Sequence, residues 1–267
     1  MIEWKKYNGA LIPIRPPHIN SNIENISLLI KLENAFFARW VTEFDDEVAT
    51  EFWYVICDKS LEINDYSLNT RSKIRRGLKN CQVMKITKQV IIKNAYEVYK
   101  HAFLKYTTHS TYKNEINFIK EIKSLGTDWE FFGVYYQEKL IAYCMCSIID
   151  GSCNYSTIKF HPKYLKYYPS YALFYIMNRY YLSERKLQYV NDGARNLVHK
   201  TNVQEFLISK FGFRKAYCKL HIEYRLIIRL FVAFLYPIRF VFQGFNNKFA
   251  SKINSLLLQE KIRRSFL

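Results

Sequence analysis

A predicted helix between Ser67 and Asn80 carries five basic side chains within nine residues. They are Arg71, Lys73, Arg75, Arg76 and Lys79. Because residues four apart share a helical face, Arg71 and Arg75 would point the same way. Two neighbouring guanidinium groups can hold a phosphate or carboxylate through paired hydrogen bonds. The alternative is a solvated basic face, which is how charge runs usually behave. We place the helix end near Gly77 or Asn80.

The stretch from residue 187 to residue 224 changes its period twice. A short β-type run ends at the turn-forming Asn191-Asp192-Gly193. Apolar residues then return at helical spacing, behind Thr201 and Asn202, either of which can cap the first turn. Gly212 follows the last periodic residue, as at many helix ends, and an extended pattern resumes at Phe213. The stretch predicts a strand, a polar corner, a helix and a second strand.

Residues 82–183 supply the elements in front of this stretch. Their periodicity predicts a strand, two helices, three consecutive strands and a further apolar helix. The three strands are expected at residues 130–136, 140–149 and 153–160. Asp150-Gly151 is a strong signal for a tight hairpin between the last two. Earlier in the chain, the apolar run at 26–30 favours a strand or an irregular cap.

The composition and net charge of the chain limit the kind of protein it can be and the kinds of partner it can bind. The chain has 267 residues, of which 49% are hydrophobic, so a sizeable packed core is expected rather than disorder. A net charge of +17 favours polyanionic partners: nucleic acid, an anionic membrane face or a phosphorylated ligand. The N-terminal residues lack a signal-peptide pattern, which favours a cytoplasmic chain. Six cysteines and six histidines without metal-ligand or redox spacing favour buried reduced thiols and no metal.

Two short motifs accompany this order of elements. Asn202-Val203-Gln204-Glu205-Phe206 precedes Lys210-Phe211-Gly212-Phe213, so an Asn and an aromatic residue on a helix lead through a Gly-Phe into the next strand. Thr70-Arg71 and Ile74-Arg75 lie on the basic helix. Order and motifs resemble the GNAT N-acyltransferase superfamily, and the basic helix is similar to that of the Fem peptidoglycan aminoacyltransferases and their single-domain relatives. The resemblance covers residues 81 to about 224.

The resemblance implies an α/β (α+β) fold in which a mixed, mostly antiparallel sheet is flanked by helices. We expect residues 1–80 to form strands and the basic helix, as part of the core or a cap on it. Residues 81–224 would form the acyltransferase core, and 225–267 an amphipathic helical tail. In the family, the strand matching residues 153–160 lies beside the donor's pantetheine and splays from the strand matching 187–190. The resulting cleft receives the reacting carbonyl group.

The resemblance further implies an acyltransferase, most simply an N-acetyltransferase that uses acetyl-CoA or another acyl-CoA. The acceptor would be an amino group of a small molecule or of a cell-envelope precursor. In the family, the turn after the first of these strands holds pyrophosphate at a helix N-terminus, but residues 161–172 lack the family's Arg and paired glycines. The expected donor contacts are Lys163, Lys166, Ser170, Tyr171 and Asn202.

Two alternatives stay open. The Fem branch, whose donor is aminoacyl-tRNA, also lacks those glycines, and the charge of +17 suits an RNA backbone. A non-catalytic nucleic-acid or membrane-binding module on a degenerate scaffold is the other possibility.

Amide formation needs a group that takes the amine's proton, a donor to the oxyanion and a proton for the leaving group. Asp192, just past the end of its strand, is one candidate, although Asp before Gly193 also suits a turn. His199 can act as a base at neutral pH, and Tyr155 can donate a proton, but each is as readily a packing residue. Arg71 and Arg75 would bind the substrate.

The tail after Tyr224 predicts two amphipathic helices. In the first, Arg225, Arg229 and Arg239 lie within a narrow polar stripe beside a wide apolar face, and Pro237 interrupts it. Internal arginines argue against a spanning helix and favour one lying in the plane of the inner membrane face. The alternative is docking on the domain or on a second subunit.

Overall fold

The computed structural model describes residues 4–105, 112–197, 202–244 and 248–266. Its strands are β1 (Trp4–Tyr7), β2 (Ala10–Pro13), β3 (Phe37–Asp46), β4 (Trp53–Cys57), β5 (Gln82–Ile86), β6 (Trp129–Tyr136), β7 (Lys139–Ile149), β8 (Ser152–Phe160), β9 (Tyr189–Ala194) and β10 (Arg214–Tyr224). Its α-helices are α1 (Ile26–Leu32), α2 (Leu68–Asn80), α3 (Lys88–Phe103), α4 (Glu115–Ser124), α5 (Pro169–Asn178), α6 (Val203–Phe211), α7 (Leu226–Leu235) and α8 (Lys248–Arg264). A 3-10 turn precedes α5 (Pro162–Tyr167), a π-helical turn follows it (Arg179–Glu184), and another 3-10 turn follows α7 (Arg239–Gly244).

The chain divides into two compact units that interleave along the sequence. The first comprises the described parts of residues 1–54, 194–201 and 215–267, and the second comprises those of 55–193 and 202–214. The basic helix α2 belongs to the second unit, with the predicted core, whereas β10 belongs almost entirely to the first.

The second unit contains the predicted meander. Its strands lie in the order β9-β8-β7-β6-β5, antiparallel except for the parallel pair β8 and β9. The hairpin between β7 and β8 turns at Asp150 and Gly151, whose φ angles of 45° and 75° are those of the tight turn that this dipeptide predicts. On β6, Phe131 packs with α3 and α4, while Phe132 contacts Tyr180 and Tyr181. Successive strand residues face opposite ways, so both faces of this sheet are covered.

In the first unit, the strands lie in the order β1-β2-β3-β10. Its core is a buried cluster shared by β3, β10, α7 and α8, with Val41, Leu220, Leu235 and Leu257 among its members. Residues 26–30, predicted as a strand or a cap, lie instead in the short helix α1. Both units thus have mixed, mostly antiparallel sheets flanked by helices, which confirms the predicted fold class.

The C-terminal segment forms two helices, as predicted. Helix α7 ends at Leu235, two residues before Pro237, because proline cannot continue the backbone hydrogen bonding. Helix α8 docks on the first unit through Ile253, Leu257 and Ile262. Within the described ranges, no helix is both long and apolar enough to span a bilayer.

Candidate functional site

The parallel ladder between β8 and β9 stops after three residue pairs. These pairs are Ser152 with Tyr189, Cys153 with Val190, and Asn154 with Asn191. The buried Asn191 closes the last pair: its amide nitrogen donates to the Cys153 carbonyl oxygen at 3.2 Å, and its Oδ1 accepts from the Gly193 N–H at 3.0 Å. Among the described residues the ladder ends here, although β8 runs on to Phe160. Beyond Asn154, β8 therefore presents an edge that is not paired with β9.

The same part of β8 contains a β-bulge. Across the ladder with β7, Met145 opposes Thr157 and Cys146 opposes Tyr155, so Ser156 is an extra residue. A bulge bends its strand and interrupts the regular ladder. Backbone N–H groups on such an edge can donate to a bound carbonyl group, and they stabilise an oxyanion if one develops there.

Asp192 follows the last residue of β9 that pairs with β8, and it is half-buried. Burial raises the pKa of its carboxyl group to about 7, and a hydrogen bond with the side chain of Gln204 on α6 offsets only part of this effect. A carboxyl group that titrates near neutrality can both accept and return a proton. The neighbouring Gly193 has a φ of 86° with no atom near its missing side chain, so the backbone conformation alone favours glycine.

The first turn of α5 differs from a phosphate-binding helix N-terminus. Tyr168, with a φ of 60°, precedes Pro169, which has no N–H. The N–H groups of Tyr171 and Ala172 both donate to the Tyr168 carbonyl oxygen. Helix α2 covers this turn, because a Cβ at Gly77 would lie 2.6 Å from that oxygen and 3.2 Å from the Ala172 nitrogen. The turn has little room and few N–H donors left for the pyrophosphate of coenzyme A.

Two cations of α2 lie over aromatic rings at this turn. The guanidinium carbon of Arg76 is 4.6 Å from the ring centroid of Tyr168, and Lys73 Nζ is 5.5 Å from that of Tyr171. Lys73 and Arg76 were predicted as cations of this helix but were not assigned to this turn. Of the two predicted helix ends, Asn80 is the observed one, so Gly77 lies inside α2. The available signal was an isolated glycine within a helical pattern, which often marks a close packing contact.

The predicted substrate contacts, Arg71 and Arg75, are half-buried and exposed, respectively, on α2. Arg71 donates to Asn64 Oδ1 at 3.3 Å, and Arg75 is exposed to solvent. Lys163 and Lys166, predicted to contact the donor, are also exposed. They lie on the 3-10 turn before α5, with their ammonium groups 5.9 and 5.2 Å from tyrosine ring centroids.

The other predicted donor contacts differ in exposure. Ser170 is half-buried at the start of α5, whereas Tyr171 is buried and its ring contacts those of Phe206 and Phe211. Asn202 occupies the N-cap of α6, but its side chain makes no capping hydrogen bond and is exposed.

Tyr155 lies in the core of the second unit. Its hydroxyl donates to Asn178 Oδ1 at 2.8 Å, and burial raises its pKa well above the usual value. The buried amide nitrogen of Asn178 has no hydrogen-bond partner among the described residues. His199, the third predicted catalytic residue, lies outside the described residues.

The cysteines are buried and unbridged, as predicted. Cys144 and Cys146 share one face of β7, with their sulfur atoms 3.4 Å apart. Nowhere in the described chain do three or more His, Cys, Asp or Glu side chains form a group that could hold a metal ion.

The first unit has a cavity of about 100 Å³. Arg39, Trp40, Tyr54 and Ala194 are among the residues that line it. Arg39 donates to Gln259 Oε1 at 2.8 Å, and burial lowers its pKa. A partly desolvated guanidinium group in an aromatic cavity can bind a carboxylate or a phosphate.

Comparisons with known proteins bear on the fold. No protein-family model matches the chain, and the comparison with curated proteins gave no match. A crystal structure of FemX superposes with a TM-score of 0.59 and 11% identity, over 87% of this chain and 85% of that one. L-PGS from Bacillus licheniformis superposes with a TM-score of 0.50 and 9% identity, over 98% of this chain and 85% of that one.

A smaller match is the PaiA N-acetyltransferase of Thermoplasma acidophilum in complex with coenzyme A. It has a TM-score of 0.33 and 14% identity, over 40% of this chain and 74% of that one. At these identities only the fold is comparable. The superposition on FemX confirms the predicted fold class, a mixed and mostly antiparallel sheet flanked by helices.

Proposed function

We propose that this protein is an enzyme that transfers an acyl group from an activated ester to an amine, where β8 separates from β9. Asp192 carries the proposal: a half-buried carboxyl group with a pKa of about 7 follows the last residue paired with β8. Beyond Asn154, the edge of β8 that is not paired with β9 can supply backbone donors for the oxyanion. A proton acceptor next to an oxyanion site is what amide formation requires.

The reaction divides between these groups as follows. The acceptor's ammonium group loses one proton to the Asp192 carboxylate, and the neutral nitrogen attacks the carbonyl carbon of the ester. A C–N bond forms, and the carbonyl oxygen becomes an oxyanion held by N–H groups of β8. The C–O bond to the leaving group then breaks. The leaving oxygen takes the proton from Asp192, and the second proton of the amine passes to water.

The donor that we favour is the aminoacyl ester of a tRNA. Gly77 and Tyr168 support this choice, because α2 covers the turn where a GNAT enzyme would hold the pyrophosphate of coenzyme A. An RNA is held instead through many phosphate contacts over a wide basic surface. The net charge of +17 and the five cations of α2 suit such a surface.

An acyl-CoA, acetyl-CoA included, is the second candidate donor. Lys163 and Lys166 favour it, because two exposed cations beside the first turn of α5 can neutralise phosphate without backbone donors. For either donor, the proposed acceptor is an amino group on a small molecule or a cell-envelope precursor, an assignment that rests on the Fem resemblance.

The test compares the two donors directly. The protein is incubated with tRNA charged with radiolabelled amino acids, or with radiolabelled acetyl-CoA, together with amino sugars, diamines and amino-terminated peptides. We expect label to move from tRNA to an amine. Label moving only from acetyl-CoA would replace the favoured donor with the second one. If neither donor reacts or binds, the proposed enzyme function is wrong and a non-catalytic binding module remains.

Two variants make the assay specific to the site. Asp192→Asn should reduce the rate about 100-fold, the lower end of what a general base contributes. Glu205→Gln removes an exposed carboxylate from the first turn of the helix that carries Gln204, and should leave the rate unchanged. Equal activity in the two variants would exclude Asp192 as the base.

A further inference from the structure

The solvent-facing side of α7 is apolar. Its exposed large side chains are Leu226, Ile227, Leu230, Phe231 and Phe234, with exposed fractions of 66, 69, 64, 41 and 76%. At about 100° per residue they span an arc of roughly 140°, with no polar side chain inside it. The opposite side already packs into the first unit through Val232 and Leu235. A helix that packs one side against its own domain normally has polar residues on the other side. The apolar outer face of α7 therefore indicates a binding surface.

The apolar surface continues beyond the helix. Ile238, Phe240 and Val241, in and just before the following 3-10 turn, are 40, 65 and 48% exposed. The outer face of α7 and these three residues are here called the tail face. An exposed apolar surface that runs on from a helix into the next turn marks a binding surface in soluble proteins.

The charge of the tail indicates the kind of partner. Residues 225–267 contain eight Lys and Arg but only one acidic residue, Glu260, for a net charge of 8 − 1 = +7. Glu260 is 2% exposed and is bonded to Arg263 and Arg264, so it presents no negative charge to solvent. On the helical wheel, Arg229 lies about 60° and Arg225 about 100° from the edge of the tail face at Leu226. Arg229 is paired with Glu223 at 2.7 Å, and Arg225 donates to Asn34 Oδ1 at 2.8 Å.

We propose that the tail face docks in the plane of an anionic lipid bilayer. Its apolar side chains would enter the boundary between headgroups and acyl chains, and the basic residues of the tail would meet lipid phosphates. A second copy of the chain suits the face less well, because its own positive tail would oppose an equally positive one. Docking of this kind does not depend on the proposed transferase activity.

Flotation of the full chain on vesicles tests the proposal. We expect the protein to float with vesicles of equal parts phosphatidylglycerol and phosphatidylcholine, and at least tenfold less with phosphatidylcholine alone. The double variant Leu230→Glu, Phe234→Glu should bind anionic vesicles at least tenfold less than the wild type. Ile116→Glu places the same charge on a residue of α4 that is 76% exposed, and should bind like the wild type.

A reporter variant answers the objection that the double variant might misfold. Phe234→Trp introduces an indole at the most exposed position of α7, and anionic vesicles should shield it from acrylamide quenching. Absence of flotation and of shielding would overturn the proposal. A second result would also overturn it: the wild type does not bind vesicles, and sedimentation shows that it forms an oligomer which the double variant does not form. A second copy of the chain would then be the partner.

Discussion

At the scale of single residues, Asp192 is held in an environment that disfavours its charge. Burial raises the pKa of the carboxyl group to about 7, and the hydrogen bond with Gln204 only partly opposes this. A group maintained in this way weakens the folded state at neutral pH. Functional sites commonly keep such local costs because the chemistry needs the perturbed group.

This cost predicts how stability varies with pH. When an acidic group has a higher pKa in the folded than in the unfolded protein, the folded state loses stability as pH rises from the unfolded pKa to the folded pKa. For Asp192 this range is from about 4 to about 7. Asp192→Asn lacks this ionisation, so its free energy of unfolding should exceed that of the wild type by about 2 kcal/mol at pH 8, a value reduced for partial solvent exposure. At pH 4 the two proteins should be equal. Urea titrations at both pH values measure the difference, and a less stable variant at pH 8 would contradict the pKa argument.

At the scale of elements, α2 is positioned by a backbone contact that no periodicity reveals. The helix itself was predictable: Ser67 caps it by accepting from the Thr70 N–H, and Ile74 lies on its buried face. What the sequence could not indicate is which element lies against Gly77. That depends on the first turn of α5, about ninety residues later in the chain.

The contact at Gly77 leads to a prediction about packing. Alanine is a better helix former than glycine by about 1 kcal/mol, yet its Cβ here would lie 2.6 Å from a backbone oxygen. Gly77→Ala should therefore lower the free energy of unfolding by about 2 kcal/mol, as overpacking does. The control Ser72→Ala, at an exposed position of the same helix, should be neutral or slightly stabilising. Urea unfolding tests both, and equal stability would mean that α2 does not approach α5 so closely.

The strands were predicted better than the short segments. The three strands β6, β7 and β8 follow from alternating patterns and the Asp150-Gly151 turn, since these signals are local. The run from Ile26 to Ile30 was misread because five apolar residues fit a buried strand and a helical turn equally well. Asp192 was proposed as a candidate from its position at a strand end, and the structure places it just after the residues of β9 that pair with β8. Its raised pKa could not be predicted, because burial is set by tertiary packing.

At the scale of the whole molecule, the chain builds the first unit from distant parts of its sequence. Strand β3 pairs with β10, so that Phe37 opposes Tyr224, which is 224 − 37 = 187 residues later in the chain. Hydrophobic patterning identifies both strands but not their pairing, because register is set by tertiary contacts. The tail completes this unit: α8 packs on the cluster that β3 and β10 share. The C-terminal helix α8 is thus part of the hydrophobic core of the first unit.

The docking of α8 makes the stability of the first unit depend on pH. The buried Glu260 accepts from the Tyr224 hydroxyl at 3.0 Å and from Arg263 and Arg264 at 2.7 to 2.9 Å. Burial alone would raise the pKa of Glu260, but the hydrogen bonds from the two arginines and the tyrosine bring it below its usual value. A carboxyl group whose pKa is lowered in the folded state stabilises the protein at pH values above its unfolded pKa, about 4.3. This stabilisation is lost as pH falls through the folded pKa.

Glu260→Gln should therefore lower the free energy of unfolding by about 2 kcal/mol at pH 7, because it leaves a buried hydrogen-bonded ion pair without its anion. The difference from the wild type should shrink below pH 4, where Glu260 itself becomes protonated. Glu47→Gln, at an exposed position of the same unit, should stay within about 0.5 kcal/mol of the wild type.

Tyr224→Phe should cost about 1 kcal/mol alone and less in the Glu260→Gln background, since the two groups share one hydrogen bond. Additive costs would mean that Tyr224 and Glu260 do not act together in holding α8 on β10.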